Sequence, residues 1–204
     1  MSEPEPLDGR QQRGRDTRAH IIAAATEQFC ESGYRAGSLR DIAARAGMTH
    51  PGVLYHFPTK EALLMAVLEH RDQQGALDNP VRSELGREAL RSMVGSAEKN
   101  ETQRPLVELF TTLSAEATSA DHPAHDYFRG RYERLLASLV GAYAVAREAG
   151  DLVEGVDPEI AGAQLIALLD GLQVQWLLGT LPTSMAAVVA AHLHAQLRAP
   201  LEFP

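Results

Sequence analysis

The chain has 204 residues, 45% of them hydrophobic and 23% charged, with a formal net charge of −8. That is ample apolar material for one or two packed domains, and no apolar run approaches the roughly eighteen residues of a membrane span, so no membrane partner is expected. One cysteine, Cys30, rules out an internal disulfide, and the polar, acidic N-terminus has no apolar signal core; both features point to a reducing cytoplasm.

In chain order, residues 1–16 read as a disordered arm, because Glu3-Pro4-Glu5-Pro6 and the Gly/Gln/Arg stretch after it lack apolar periodicity. Arg10, Arg13 and Arg15 are either a solvated tail or an arm that gains phosphate or minor-groove contacts on DNA. A first helix is predicted over about Thr17 to Glu31, with Ile21, Ile22, Ala25 and Phe29 on one face and Gly33 as its stop. Cys30 beside Phe29 reads as a small core hydrophobe.

Residues 38 to 57 carry the most informative pattern. Ser38 is placed to cap a short helix in which Leu39, Ile42, Ala43 and Ala46 recur at helical spacing. Gly47 stops it, since glycine enters the left-handed region cheaply. Thr49 then caps a second short helix with Pro51 in its first turn and Val53, Leu54 and Phe57 on its apolar side. Helix, glycine turn and short helix describe a helix-turn-helix whose second helix enters a DNA major groove. Thr49, Ser38 and Arg40 are then candidate phosphate ligands, and His50 faces base edges. Pro51 packs on a thymine methyl, Gly52 allows close backbone approach, His56 reaches groove or phosphate, and Lys60 neutralises a phosphate. His50 and His56 lack a third ligand, so no metal and no cofactor is expected.

The negative charge is unevenly spread. From Arg10 to Lys60 there are eight basic and four acidic residues, whereas from Glu61 onward there are 11 basic and 20 acidic ones. A basic end on an acidic body suffices for phosphate affinity, which needs only a local basic face.

A fourth helix is predicted from Thr59 to about Gln74, packed through Leu63, Leu64, Ala66, Val67 and His70, before a break at Gln74–Pro80. The remainder reads as helical throughout. Helices are expected over about Val81–Glu98, Gln103–Ser119, Ala124–Ala149, Asp157–Leu178 and Thr183–Arg198, with Asp157 and Thr183 as caps. The last two are apolar on several faces, which marks a partner surface. The motifs expected of enzymes are missing: no Gly-rich phosphate loop, no Gly-x-Ser-x-Gly, no Cys/His metal spacing.

The run from Thr17 to about Leu68 resembles the DNA-binding domain of the TetR family of one-component transcriptional regulators. Ile22, Ala25, Phe29, Gly33, Tyr34, Ile42, Ala43, Ala46 and Gly47 match, as does the stretch Leu54-Tyr55-His56-Phe57-Pro58-Thr59-Lys60-Glu61-Ala62-Leu63. The stretch Asp170 to Leu178 also resembles the C-terminal domain of one subgroup. The resemblance implies an all-α protein of about nine helices: a helix-turn-helix domain over 17–62 and an effector-binding and dimerisation domain over 63–204. It implies that the Tyr55 hydroxyl meets a phosphate, and that the fourth helix links reader to sensor. It implies a homodimer on a near-palindromic double-stranded operator, paired through Leu165, Leu169, Leu172, Trp176, Val188, Val189 and His192. An unidentified small-molecule effector is expected among Phe110, Tyr127, Phe128, Tyr132, Gln173 and Trp176, with Glu116, His122 and His125 adding polarity. A ligand-released repressor is the leading expectation. An activator of the same fold, or a helical ligand-binding protein without DNA binding, are the alternatives.

Overall fold

The computed structural model describes residues 9–78, 83–199 and 201. Among them the fold is all-helical: α1 (Gly9–Ala36), α2 (Leu39–Arg45), α3 (His50–His56), α4 (Lys60–Asp78), α5 (Arg87–Glu101), α6 (Arg104–Glu116), α7 (His125–Glu148), α8 (Pro158–Leu177) and α9 (Met185–Gln196), with a 3-10 turn at Ser83–Leu85. Two compact units form, one ending at Arg71 and the other starting at Asp72.

In the first unit the predicted apolar stripes are the core. Ile21, Ile22, Ala25 and Phe29 of α1, Ile42 and Ala43 of α2 with Ala46 at its C-cap, and Val53 and Phe57 at α3 are all buried. Leu63, Leu64 and Val67 of α4 are buried as well and belong to this unit, whereas the family resemblance sets the boundary after residue 62. The start of α4 seals the small helical core rather than leaving it. His70, expected to pack, is exposed.

Two helices outrun their predicted ends. α1 begins at Gly9, so residues 9–16 are helical and not a disordered arm; residues 1–8 lie outside the described residues. Gln12 Nε2 donates to Asp16 Oδ1 at 2.9 Å and Thr17 Oγ1 to the Arg13 carbonyl at 2.8 Å. Over residues 12–16, which have no buried side chain, the helix is held by local propensity and by pairs four residues apart, and it needs no apolar periodicity. At Gly33 (φ 74°, ψ 163°) the helix is interrupted, as expected. α4 continues through Gly75 to Asp78, past the predicted break.

The core of the second unit is built from α5, α7, α8 and α9, with Leu90, Leu139, Tyr143, Leu165, Leu172, Val189 and Leu193 at its centre. The predicted start of α5 at Val81 lies outside the described residues, and the helix starts at Arg87. Gly86 (φ 52°) makes the turn; a Cβ there would sit 2.9 Å from Val145 Cγ1 and 3.2 Å from the Ala146 nitrogen, so only glycine fits. Asp157 caps α8, accepting from the backbone of Glu159 and Ile160 at 3.0 Å. α9 is capped by Ser184, not Thr183: Ser184 Oγ accepts from Ala187 N at 3.0 Å.

The predicted pairing surface needs correction. Leu165, Leu172 and Val189 are buried in the core of their own unit and have no surface to offer a partner, while Leu169, Trp176, Val188 and His192 are half-buried. The apolar side chains that α8 leaves in solvent are Ile160 (60% exposed), Val174 (45%) and, at its C-cap, Leu178 (71%). By length and composition α8 is also apolar enough to cross a membrane, although polar residues interrupt every long apolar run within it. Its composition reflects two apolar faces, one in the core and one outside, divided by Gln164, Asp170, Gln173 and Gln175.

Leu165→Ala should cost about 2–5 kcal/mol of stability through the cavity it leaves, and Leu165→Met less than about 1.5 kcal/mol. Urea unfolding followed by fluorescence of the single tryptophan, Trp176, measures both.

Candidate functional site

α3 has seven residues, too few to hold a helix alone, so its placement rests on its ends and its buried side. Before it, α2 is capped by Ser38, whose Oγ accepts from Asp41 N at 3.2 Å and donates to Asp41 Oδ2 at 2.5 Å. After α2 the chain turns at Gly47 (φ 60°). Met48 N bonds back to the Ala43 carbonyl at 2.9 Å and Gly47 N to the Ala44 carbonyl at 3.1 Å, the paired closure of a Schellman end. The Ala46 carbonyl is met by His20 Nε2 at 3.1 Å, which ties α1 to this turn.

Thr49 caps α3, its Oγ1 accepting from Gly52 N at 3.2 Å. That bond uses a lone pair and leaves the hydroxyl proton for an outside acceptor. Gly52 keeps room for the cap, since a Cβ there would lie 3.2 Å from Thr49 Oγ1 and 3.5 Å from Met48 Cε. Val53 and Phe57 are buried, and the Arg18 guanidinium lies 4.7 Å from the Phe57 ring centroid. On the other side Tyr55 is 83% exposed, in edge contact with the His56 ring at 5.2 Å. Pro51 and Arg40 are exposed, while His50 and His56 are half-exposed. The first unit thus collects Ser38, Arg40, Thr49, His50, Pro51, Gly52, Tyr55 and His56 on α2, α3 and their caps.

Lys60 is engaged within the protein. Its Nζ donates to the Arg35 carbonyl at 3.0 Å and lies 4.5 Å from the Tyr34 ring centroid; partial burial lowers its pKa. Tyr34 Oη points to Glu61 Oε1 at 3.5 Å, and burial, reinforced by the Glu61 charge, pushes its pKa up to about 12. Lys60 therefore closes the end of α1 against the start of α4. Arg45 is likewise spent on Glu27 and Glu31 of α1. The structural roles of His20, Arg18 and Lys60 have no signal in sequence spacing.

In the second unit, polar side chains gather among α6, α7, α8 and the end of α4. Asp72 accepts from Tyr127 Oη at 2.6 Å and from Arg131 Nε at 2.9 Å. One turn along α7, Tyr132 Oη donates to Asp170 Oδ2 at 2.8 Å. Burial foremost, then the Asp170 charge, pushes Tyr132 up to about 12, and burial raises Asp170 against the opposing effects of Tyr132 and Arg131. Thr111 Oγ1 donates to Gln173 Oε1 at 3.2 Å. Phe128 meets Phe110 edge-on at 6.1 Å and Tyr127 at 5.2 Å. Five of the six predicted effector residues thus lie in this network. Trp176 instead stacks under Arg104 at 5.1 Å, while Arg104 Nη2 donates to the Leu177 carbonyl at 2.5 Å. Glu116, His122 and His125 close the α6–α7 turn: His122 Nε2 is 3.7 Å from Glu116 Oε2, and His125 Nδ1 is 2.9 Å from the Ala117 carbonyl. Sequence patterning does not single out Asp72, Thr111, Arg131 or Asp170. An acid in the middle of the apolar α8 is the available signal for Asp170.

Comparison with known proteins agrees with both units. Residues 21–67 match the family model described as bacterial regulatory proteins, tetR family, and residues 86–198 match that of the BetI-type transcriptional repressor C-terminal domain. The chain is 26% identical over 174 residues to the HTH-type transcriptional repressor BepR of Brucella suis, covering 80% of this chain and 82% of that one. Over 52 residues it is 52% identical to an HTH-type transcriptional repressor of Mycobacterium tuberculosis, covering 26% of this chain and 28% of that one. Among solved structures it is similar to SmeT of Stenotrophomonas maltophilia in complex with triclosan, with a TM-score of 0.75 at 23% identity, covering 93% of this chain and 99% of that one. The chain belongs to the TetR family of bacterial transcriptional regulators.

Proposed function

We propose that this regulator is a homodimeric repressor that reads a near-palindromic operator through α3 and leaves it when a small molecule occupies the polar and aromatic network of α6, α7 and α8. The observation that carries the DNA-reading half is Tyr55, 83% exposed on a short helix whose opposite side, Val53 and Phe57, is wholly buried. A large aromatic side chain held in solvent on a fixed scaffold is poised for a partner, and the free Thr49 hydroxyl proton stands on the same helix. In this reading Thr49, Tyr55, Ser38 and Arg40 hold phosphates, His50, Pro51 and His56 face the groove, and Lys60 sets the α1–α4 junction before any phosphate.

Repression is supported by the names of two relatives, both called repressors. Ligand release is supported by the SmeT complex with triclosan, SmeT being described as the repressor of a multidrug efflux pump. Pairing is supported by Ile160, Val174 and Leu178, which leave an apolar face of α8 uncovered. A dyad of two recognition helices reads half-sites about 34–36 Å apart or a multiple of it, so a ligand that favours another spacing shifts the population away from DNA.

Selection of genomic fragments by the purified protein at two salt concentrations tests the reading: a near-palindrome is expected, and purely salt-sensitive, sequence-independent retention would refute it. On a selected fragment Tyr55→Phe should cost about 1.5 kcal/mol, roughly tenfold in affinity, without changing the preferred sequence. His50→Ala should instead flatten preference at one or two base pairs, each worth about 1–3 kcal/mol; an unchanged selected sequence removes His50 from base reading. Val174→Asp with Leu178→Asp should give monomers in sedimentation with helical circular dichroism retained, whereas a persistent dimer would move the interface elsewhere.

A further inference from the structure

The balance of charge inside the α6–α8 network defines what it lacks. Asp72 and Arg131 neutralise each other across a 2.9 Å contact, with Tyr127 completing the carboxylate. Among the described residues Asp170 has no such ion pair, and its hydrogen-bond donor is the Tyr132 hydroxyl, which brings no charge. A carboxylate offers about four acceptor positions, so most of Asp170's capacity is unused. It is half-buried in the middle of α8, where an ionised group without a partner is costly. Burial accordingly favours its protonated form, an effect that the field of Arg131 opposes in part.

The neighbours of Asp170 are equally specific. Gln173, one turn on, has its Oε1 occupied by Thr111 Oγ1, so its amide N–H groups remain to be matched. Tyr127, Phe128 and Phe110 stack edge to face on α7 and α6; Phe110 and Phe128 are buried, and the half-buried Tyr127 ring is the aromatic surface that favours apolar and cationic groups.

We infer that the effector is a lipophilic amine: a protonated nitrogen that donates to Asp170 beside Tyr132, on an apolar body set against the half-buried Tyr127 ring of α7. The inference rests on the reading of this network as the effector site and names the ligand class for it. A bound cation supplies the counter-charge that the chain omits, and Asp170 becomes a paired carboxylate. The Arg131 charge is shared with Asp72, so an anion entering here would meet the repulsion of Asp170 only partly offset.

Three probes with one body test this: phenylbutylamine, phenylbutanol and phenylbutanoate, which differ in a cationic, neutral or anionic end. Each is titrated calorimetrically into the full-length protein and assayed for release of the selected DNA fragment. Phenylbutylamine should bind about tenfold or more tightly than either analogue. In Asp170→Asn it should fall to the level of the alcohol, while the alcohol's own affinity stays within about twofold. Tyr132→Phe, which removes the competing hydroxyl, should keep or widen the preference for the amine and guards against misfolding of the Asp170 variant. An amine that binds no tighter than the alcohol, or a preference that survives Asp170→Asn, overturns the inference. If the alcohol or the carboxylate binds and releases DNA while the amine does not, the effector site stands and only the ligand class falls. If none of the three binds or releases DNA, both fall.

Discussion

The constraint on which the rest depends is the shortness of α3. Seven residues form too few internal hydrogen bonds to persist in water, where isolated helices need about 12–15 residues even to be marginal. The helix exists because both ends and one side are held by other parts of the chain. Thr49 satisfies the first turn, Phe57 N closes on the Val53 carbonyl at 2.9 Å, and Val53 and Phe57 are wholly buried. What remains outside is a side that contributes nothing to stability and is free to be selected for contact. A longer, self-sufficient helix would not need so complete a scaffold; a shorter one would not reach from Thr49 to Tyr55.

The same economy explains the polar contacts around it. His20 on the Ala46 carbonyl and Lys60 on the Arg35 carbonyl each satisfy a helix-terminal acceptor that has no partner within its own helix. Exposed charges are worth little in isolation, but a donor that closes a helix end also fixes the direction in which the next element starts. Lys60 matches the pattern of a phosphate ligand in sequence; here one of its three N–H donors is taken by the Arg35 carbonyl and the ammonium lies over the Tyr34 ring. The lowered pKa follows from that position, since burial disfavours the charged form.

How much of this is legible in the sequence follows the range of each interaction. Ser38, Gly47, Thr49 and Asp157 act on backbone groups a few residues away, so their caps and turns are readable from local spacing, and the apolar stripes of α1 to α4 are readable from periodicity. His20, Asp72, Arg131 and Asp170 act across helices far apart in the chain. Apart from Asp170, an acid in the middle of an apolar helix, nothing in spacing distinguishes such a residue from a solvated one. Residues 9–16 look like a disordered arm for the converse reason: helix with no buried side, as at residues 12–16, has no periodic signal to give. In α8 the difficulty is different again. Several faces are apolar, and periodicity cannot say whether Leu165 or Ile160 turns inward; only packing against α7 and α9 decides, and it buries Leu165.

α8 then has a role beyond its share of the core. Leu165 and Leu172 anchor it, Ile160, Val174 and Leu178 leave it an apolar outer face, and Asp170 and Gln173 connect it to α7 and α6. Anchoring limits its freedom to small rotations and shifts, because close-packed cores resist anything larger. A change at Asp170 is therefore felt by the same rigid segment that carries Val174 and Leu178, about one to two turns away. In the proposed dimer that segment would meet its own copy, so a small displacement would be repeated by symmetry across the interface. If α8 pairs as proposed, a poorly satisfied carboxylate on it, and not on α5 or α9, would make ligand occupancy and subunit geometry a single equilibrium.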